Sequence, residues 1–177
     1  AQAEAYCGTK PFVRYWLHTA FITMRGDKMS KSLGNVVTIR EACARFSPKA
    51  VRFWLLGTHY RNPLSFGEEE LTSAANGLAR LETARENWRH LLSTPVQAGD
   101  GEAAPEVAAL VANGRERFIA AMEDDFNTAV ALGVLYELVR EVNKWAFSED
   151  FILTAPCRKV LGEALSLLEE LGDVLGI

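Results

Sequence analysis

One stretch of the 177-residue sequence carries its most specific signal: Lys28-Met29-Ser30-Lys31-Ser32-Leu33-Gly34-Asn35. An apolar segment at 21–24 and a Gly26-Asp27 pair precede it and predict a short strand or hairpin that leads into it. Lysine ammonium groups, hydroxyl donors and a glycine that lets the backbone approach closely suit the wrapping of a polyphosphate. On composition alone, a solvated surface loop is the commoner meaning of such a segment.

The letters of this stretch resemble the KMSKS signature of class I aminoacyl-tRNA synthetases. Further segments resemble cysteinyl-tRNA synthetases, in the same order and over nearly the whole chain: Lys10-Pro11-Phe12-Val13, Tyr15-Trp16-Leu17-His18-Thr19, Val37-Thr38-Ile39-Arg40, Arg52-Phe53, His59-Tyr60-Arg61-Asn62-Pro63-Leu64 and Asp124-Asp125-Phe126-Asn127-Thr128. A related cysteine ligase of thiol biosynthesis shares the architecture, but the segments at 59–61 and 125–128 are more similar to the tRNA enzyme.

The resemblance implies a role for the signature loop in ATP binding. In this family the loop closes over ATP, and its lysines stabilise the charge that develops on the leaving pyrophosphate. Lys31 is then the foremost candidate for the phosphate contact and Lys28 supports it. Ser30 and Ser32 add hydrogen bonds on either side of Lys31, and Met29 completes the predicted ATP-binding segment.

Three arginines are weaker candidates for contact with nucleic acid: Arg25, Arg52 and Arg61. Ten of the 19 lysines and arginines but only three of the 23 acidic residues lie within residues 1–66, so this part is basic and the remainder acidic. The basic part is where an anionic partner such as tRNA would dock. The alternatives are that the two parts neutralise one another across an interface, and that Arg61 pairs with backbone carbonyls.

The resemblance also implies what this sequence lacks. The family's HIGH signature has no match here, and the zinc ligands of cysteinyl enzymes lie upstream of the position that matches Ala1, so no zinc is expected. Family members also continue beyond Ile177 into a small anticodon-binding domain. Because adenine, ribose and amino-acid contacts come from the part that is not matched, the isolated chain is predicted to be inactive as a ligase, with weak ATP binding at most.

Three hypotheses on function therefore remain open. The chain is part of an active cysteine–tRNA ligase, cut from it or working with a separately supplied catalytic half. Alternatively, it is a truncated paralogue with RNA or nucleotide binding or a regulatory task. The third hypothesis is an interaction module in which the signature is a relic. An exposed face that would otherwise meet the catalytic fold predicts contact with another protein or self-association.

The predicted fold is mainly α: a KMSKS-loop and stem-contact region at 1–66, followed at 67–177 by an antiparallel four-helix bundle as in class I synthetases, with DALR-like tRNA-binding character. In the first region, apolar periodicity and capping residues predict a helix ending at Gly8, a helix at 11–18, a helix capped by Thr38 with an apolar face of Ile39, Ala42, Cys43 and Phe46, and a helix at 48–57 that buries Val51, Trp54 and Leu55.

In the bundle, the same signals predict helices at 68–92, 105–123 and 155–175, and a helix from Thr128 with an apolar stripe of Val130, Val134, Leu138, Val142 and Trp145. The connection at 93–104 is predicted to be mobile.

Composition restricts the class of protein. A hydrophobic content of 49% and a charged content of 24% describe a globular chain with a core. No apolar run reaches the length of a membrane span, and no signal sequence opens the chain, so the predicted location is the cytoplasm and no membrane partner is expected. Cys7, Cys43 and Cys157 lie far apart without metal-binding spacing, which predicts buried or partly buried thiols in a reducing compartment.

Overall fold

The structure is a computed structural model that describes residues 2–24, 26–28, 36–99 and 101–177. Within these residues it is mainly helical, as predicted. The helices and strands are α1 (Gln2–Cys7), β1 (Ile22–Met24), β2 (Asp27–Lys28), α2 (Ile39–Arg45), α3 (Pro48–Leu56), β3 (Leu64–Ser65), α4 (Glu68–Ser93), α5 (Pro105–Glu123), α6 (Thr128–Ala146) and α7 (Ala155–Leu175).

The segment before β1 contains one correct and two wrong predictions. α1 ends where predicted, at Gly8, whose φ of 67° suits a residue without a Cβ. Cys7, the last residue of α1, is exposed, so its predicted burial is wrong. The predicted helix at 11–18 is wrong, because residues 8–21 form neither helix nor strand. The side chains that would have made its apolar face, such as Trp16 at 74% exposure, contact no core. A helix this short needs such packing to be stable.

The strands form a small sheet in the order β2-β1-β3. β1 and β2 pair antiparallel, which confirms the predicted hairpin before the signature loop. β3 pairs parallel with β1 on the other side. β1 is therefore the central strand, and its position depends on the chain around residue 64.

The caps of α2 and α3 form as predicted. Thr38 and Glu41 make a reciprocal capping box, and the Ser47 side chain accepts a hydrogen bond at the start of α3, with proline at the next position. Two predicted core residues are wrong: Ile39 is 79% exposed and Leu55 is 48% exposed. Ile39 is the first residue of a seven-residue helix whose inward side is made by the buried Ala42.

α3 packs on two apolar clusters, which explains the error at Leu55. Val51 and Trp54 face a cluster made with β1, β3, α2 and the start of α4. Ala50 and Phe53 face the main core of the bundle instead. Two buried sides leave only one direction for Leu55, which points to solvent. The predicted domain boundary after residue 66 stays a prediction.

Helices α4 to α7 form the predicted four-helix bundle. α5 and α7 have the predicted bounds, and α4 extends one residue beyond its predicted end. The predicted stripe of α6 is buried at Val134, Leu138 and Val142, but Val130 in its first turn is exposed. The fully buried Trp88 lies at the centre and donates from Nε1 to Asn143 Oδ1 at 2.7 Å. None of the described helices combines the length and hydropathy needed to span a membrane.

The connection between α4 and α5 is docked, whereas the sequence predicted a mobile segment. Gln97 N donates to Leu153 O at 2.9 Å, and Thr154 Oγ1 donates to Gly101 O at 2.5 Å. Arg158 also donates to Thr94 O. These bonds use backbone groups of the connection that carry no sequence signal, so composition alone missed them.

Candidate functional site

The β1–β2 hairpin leads into the signature stretch. Its register places Thr23 opposite Lys28 and Met24 opposite Asp27, and the turn uses Gly26 at a φ of 87°. Lys28, the first predicted phosphate-contacting residue, is thus the last residue of β2. The other predicted ATP-binding residues, Met29, Ser30, Lys31 and Ser32, lie outside the described residues, as does Arg25. Their assignment stays a prediction.

The hairpin is fastened to the rest of the fold through β3. Leu64 N donates to Phe21 O at 3.1 Å, and Phe66 N donates to Thr23 O at 2.8 Å. β3 is in turn held by Trp54 of α3, whose Nε1 donates to Ser65 O at 3.0 Å. The buried indole therefore links the sheet to the apolar cluster beneath it.

The two segments His59-Tyr60-Arg61 and Asp124-Asp125-Phe126 meet in the structure around one carboxylate, that of Asp125. Tyr60 Oη donates to Asp125 Oδ1 at 2.6 Å, and Arg61 Nη2 donates to the same oxygen at 3.1 Å. Arg61 Nε donates to Asp125 Oδ2, which completes a bidentate ion pair. His59 Nε2 lies 3.9 Å from Oδ2. We call these four residues the Asp125 cluster.

Electrostatics in the Asp125 cluster favour the ionised carboxylate. The hydrogen bond from Arg61, followed by that from Tyr60, lowers the pKa of Asp125 to about 2. The pKa of Tyr60 is raised, mainly because its hydroxyl donates a hydrogen bond to the Asp125 carboxylate. The pKa of Arg61 is also raised, first by its hydrogen bond to Asp125. The pair is therefore ionised throughout the neutral range.

The two weaker nucleic-acid candidates that the structure describes both have intramolecular partners. Arg61 binds Asp125, a carboxylate, where the sequence had suggested backbone carbonyls as its structural partner. Arg52 Nη1 donates to Gly176 O at 2.8 Å, at the end of α7, where a cation stabilises the free carbonyls of a helix. Both side chains are still exposed to solvent. Their contact with nucleic acid stays a prediction.

Sequence reasoning missed the pairing of Asp125 with Arg61. Both segments were prominent because they resemble the same family, but residues 64 positions apart carry no spacing that predicts their contact. It also missed a groove of about 1080 Å³ between α4 and α6. Asn76, Arg80, Thr83 and Asn87 line one wall of this groove at helical spacing, and Tyr136 lies opposite.

Two family models match the sequence. The model described as the catalytic domain of class I (C) tRNA synthetases matches residues 1–76, and the model described as the DALR domain matches residues 117–177. A cysteine–tRNA ligase of Desulforamulus reducens is 42% identical over all of this chain and 36% of its own length. One of Heliobacterium modesticaldum is 44% identical over all of this chain and 37% of its own length.

The chain belongs to the cysteinyl-tRNA synthetase family. This confirms the resemblance that the signature stretch and the segments at 59–64 and 124–128 indicated. The chain spans little more than a third of the length of these curated relatives.

The fold agrees with this family assignment. The crystal structure of a ternary complex of Agrobacterium radiobacter K84 agnB2 LeuRS, tRNA and LeuAMS contains a similar arrangement, with a TM-score of 0.62 over 90% of this chain and 22% of that one. The sequence identity is 22%, so the likeness concerns the fold alone. Among the described residues of this cysteinyl-tRNA synthetase relative, no cluster of histidine, cysteine, aspartate and glutamate could hold a metal ion.

Proposed function

We propose that this chain takes part in the ATP-dependent attachment of cysteine to tRNA, as the portion of a cysteine–tRNA ligase that carries the signature loop and the helical bundle. The observation that carries this proposal is the match of curated cysteine–tRNA ligases over the entire chain at 42% and 44% identity. A shared fold would not by itself assign a substrate. Sequence identity over the entire chain is a stronger reason than a shared fold to assign cysteine and tRNA as substrates.

Within this function, residues 28–32 bind the phosphates of ATP, with Lys31 as the main contact. ATP supplies the adenylyl group that activates the amino acid, with pyrophosphate as the leaving group. The ammonium groups of Lys28 and Lys31 place positive charge where that pyrophosphate develops negative charge. The hydroxyls of Ser30 and Ser32 donate hydrogen bonds to the oxygens of that pyrophosphate. The hairpin that ends at Lys28 supports this role, because it presents the loop at the end of a paired strand.

The tRNA is the second partner in this proposal. The excess of basic residues in 1–66 supports it, since cationic surfaces attract the phosphate backbone. The groove between α4 and α6 offers amide, hydroxyl and guanidinium donors of the kind that contact phosphate and sugar oxygens, and the carboxylate of Glu137, which also lines it, is paired with Arg117. Arg52 and Arg61 remain exposed beside their intramolecular partners and can share further hydrogen bonds.

By itself the chain is proposed to be inactive as a ligase. Residues 28–32 bind only one end of ATP, and catalysis requires groups that hold both reactants in the geometry of the transition state. Large apolar side chains at Tyr6, Phe12, Tyr15, Trp16 and Leu17 are exposed. These side chains support contact with the remaining part of a ligase, with another protein or with a second copy of the chain. The absence of zinc and the cytoplasmic location stay predictions.

Two assays on the purified chain test this proposal. We expect no cysteine-dependent exchange of pyrophosphate into ATP, and such exchange would contradict inactivity of the isolated chain. We also expect weak ATP binding in a calorimetric or fluorescence titration. The double variant Lys28→Ala with Lys31→Ala should abolish that binding.

The control for the titration removes two charges elsewhere. Lys144 and Lys159 are exposed on α6 and α7, so the double variant Lys144→Ala with Lys159→Ala should bind ATP like the unaltered chain. Equal loss of binding in both double variants would show a nonspecific charge effect and would contradict the assignment of residues 28–32.

A further inference from the structure

We propose that Asp125 is a positioning residue, which sets where the β1–β2 hairpin, and with it Lys28 at the start of the signature stretch, lies relative to the helical bundle. This inference rests on the proposed function, because it assigns a role to a residue that acts on the loop from a distance. Asp125 belongs to the connection between α5 and α6, far from the loop in sequence. The contacts that join Asp125 to the hairpin are continuous and can be followed one by one.

The first step is the rigid presentation of the Asp125 carboxylate by the bundle. Asp125 and Phe126 have φ values of 54° and 55°, a left-handed conformation that aspartate tolerates but that is unfavourable for a bulky residue such as phenylalanine unless the surroundings impose it. Phe126 N donates to Met122 O at 3.0 Å, and Asn127 N donates to Ala121 O at 3.1 Å. The connection between α5 and α6 is thereby held against the last turn of α5. The backbone position from which the Asp125 carboxylate extends is therefore fixed.

The second step is the attachment of residues 60 and 61 to that carboxylate. Arg61 approaches it through both Nε and Nη2, and Tyr60 adds a third hydrogen bond. A planar guanidinium that contacts a carboxylate through two nitrogens fixes orientation as well as distance. A lysine at position 61 would preserve the charge but lose this orientation.

The third step leads from residue 60 to the hairpin. Tyr60 O accepts a hydrogen bond from Ala20 N at 2.9 Å, two residues before β1 begins. Leu64, three residues after Arg61, opens the strand that pairs with β1. β1 therefore has fixed points at both the Tyr60 carbonyl and β3. Because β2 pairs only with β1 within the described residues, the position of Lys28 follows from that of β1.

The Asp125 cluster contributes to position more than to overall stability. The Asp125 side chain is 42% exposed and the Arg61 side chain 59%, so the ion pair is screened by water and adds little to the free energy of folding. α3 is joined to the bundle independently, through the buried Phe53 and the hydrogen bond from Thr128 Oγ1 to Leu56 O at 2.8 Å. Loss of the carboxylate should therefore release the hairpin and leave the bundle folded.

Hydrogen–deuterium exchange on the full chain tests this inference with the variant Asp125→Asn. Asparagine tolerates the left-handed conformation and has nearly the same shape as aspartate, so the backbone of the connection between α5 and α6 should keep its conformation. We expect exchange at the amides of Ala20, Leu64 and Phe66 to accelerate about tenfold or more, while amides within α6 and α7 stay within about twofold. The midpoint of thermal unfolding should hardly change.

The matched control is Glu170→Gln. Glu170 forms a similarly exposed ion pair with Arg115 on the bundle, away from the sheet. This variant should leave exchange at Ala20, Leu64 and Phe66 unchanged. The inference is overturned if Asp125→Asn leaves those amides protected, or if it accelerates exchange equally throughout the bundle.

A parallel ATP titration separates this inference from the proposed function. If the unaltered chain binds ATP, Asp125→Asn should weaken that binding several-fold without touching residues 28–32. If the unaltered chain binds no ATP, the proposed function fails, and the exchange experiment still decides whether Asp125 positions the hairpin. If ATP binds equally well to both forms, the positioning role is overturned.

Discussion

Gly176 is a single residue that both ends α7 and connects it to α3. It ends α7 at a φ of 70°, and its carbonyl accepts the hydrogen bond from Arg52. A Cβ at this position would lie 2.2 Å from Arg52 Nη1, so an alanine would strain the backbone and displace the arginine. We expect Gly176→Ala to lower the free energy of unfolding by about 1–2 kcal/mol, measured by urea denaturation.

Gly162 provides the matched control on the same helix. A Cβ added there meets nothing within 4 Å, and its φ is not left-handed. Gly162→Ala should therefore raise the free energy of unfolding, by roughly 0.5–1 kcal/mol. A destabilisation of equal size at both positions would contradict the local account of Gly176.

The pH dependence of the Asp125 contribution follows from its lowered pKa. Folding lowers this pKa from 3.8 to about 2, so the stabilisation is fully present above the unfolded value and is lost as pH falls towards the folded one. We expect Asp125→Asn to accelerate amide exchange at Ala20, Leu64 and Phe66, after correction for the intrinsic exchange rate, by a constant factor from about pH 5 to 8, and we expect this factor to fall to one between about pH 4 and 2. Hydrogen–deuterium exchange at several pH values measures it. A transition centred at a higher pH would contradict the assignment of the effect to Asp125.

At the scale of single elements, α2 tests the importance of caps. It has seven residues and its one buried residue is Ala42, so packing contributes little to its stability and the capping box contributes a large share. Thr38→Ala should cost about 1 kcal/mol of helix stability, seen as faster amide exchange at residues 39–45. Ile39→Ala, in the same helix at an exposed position, should have no comparable effect. Equal effects of the two variants would contradict the cap's role.

The elements also show what the sequence can and cannot predict. The caps at Thr38 and Ser47 and the bounds of α5 and α7 were predictable, because caps and periodicity act within a few residues along the chain. The error at Leu55 has another origin. Helical spacing identifies an apolar face, but α3 packs on two clusters at once, and only the tertiary arrangement selects which residues are buried.

The candidate site was predictable in part for the same reason. The hairpin before residue 28 is a local feature, and the sequence predicted it correctly. The hydrogen bonds around Asp125 join segments that are distant in the chain, so neither residue type nor spacing could reveal them. The role of residues 28–32 in ATP binding stays a prediction, since Met29 to Ser32 lie outside the described residues.

At the scale of the whole molecule, the structure combines a small sheet that leads to the signature loop with a helical bundle of the synthetase fold. α3 lies between them and is buried on both sides, so the two parts share one continuous framework. The Asp125 cluster joins them a second time at the surface. This arrangement holds the β1–β2 hairpin in a fixed relation to the helical bundle.

Titration of the isolated chain with cysteine-accepting tRNA tests the central claim most directly. We expect measurable binding at low ionic strength that weakens as salt is raised, because the basic side chains of residues 1–66 would neutralise phosphates. A double-stranded DNA of the same charge should compete poorly, because the proposed function assigns this surface to tRNA. Absence of tRNA binding at low salt, or equal affinity for the DNA, would contradict the account.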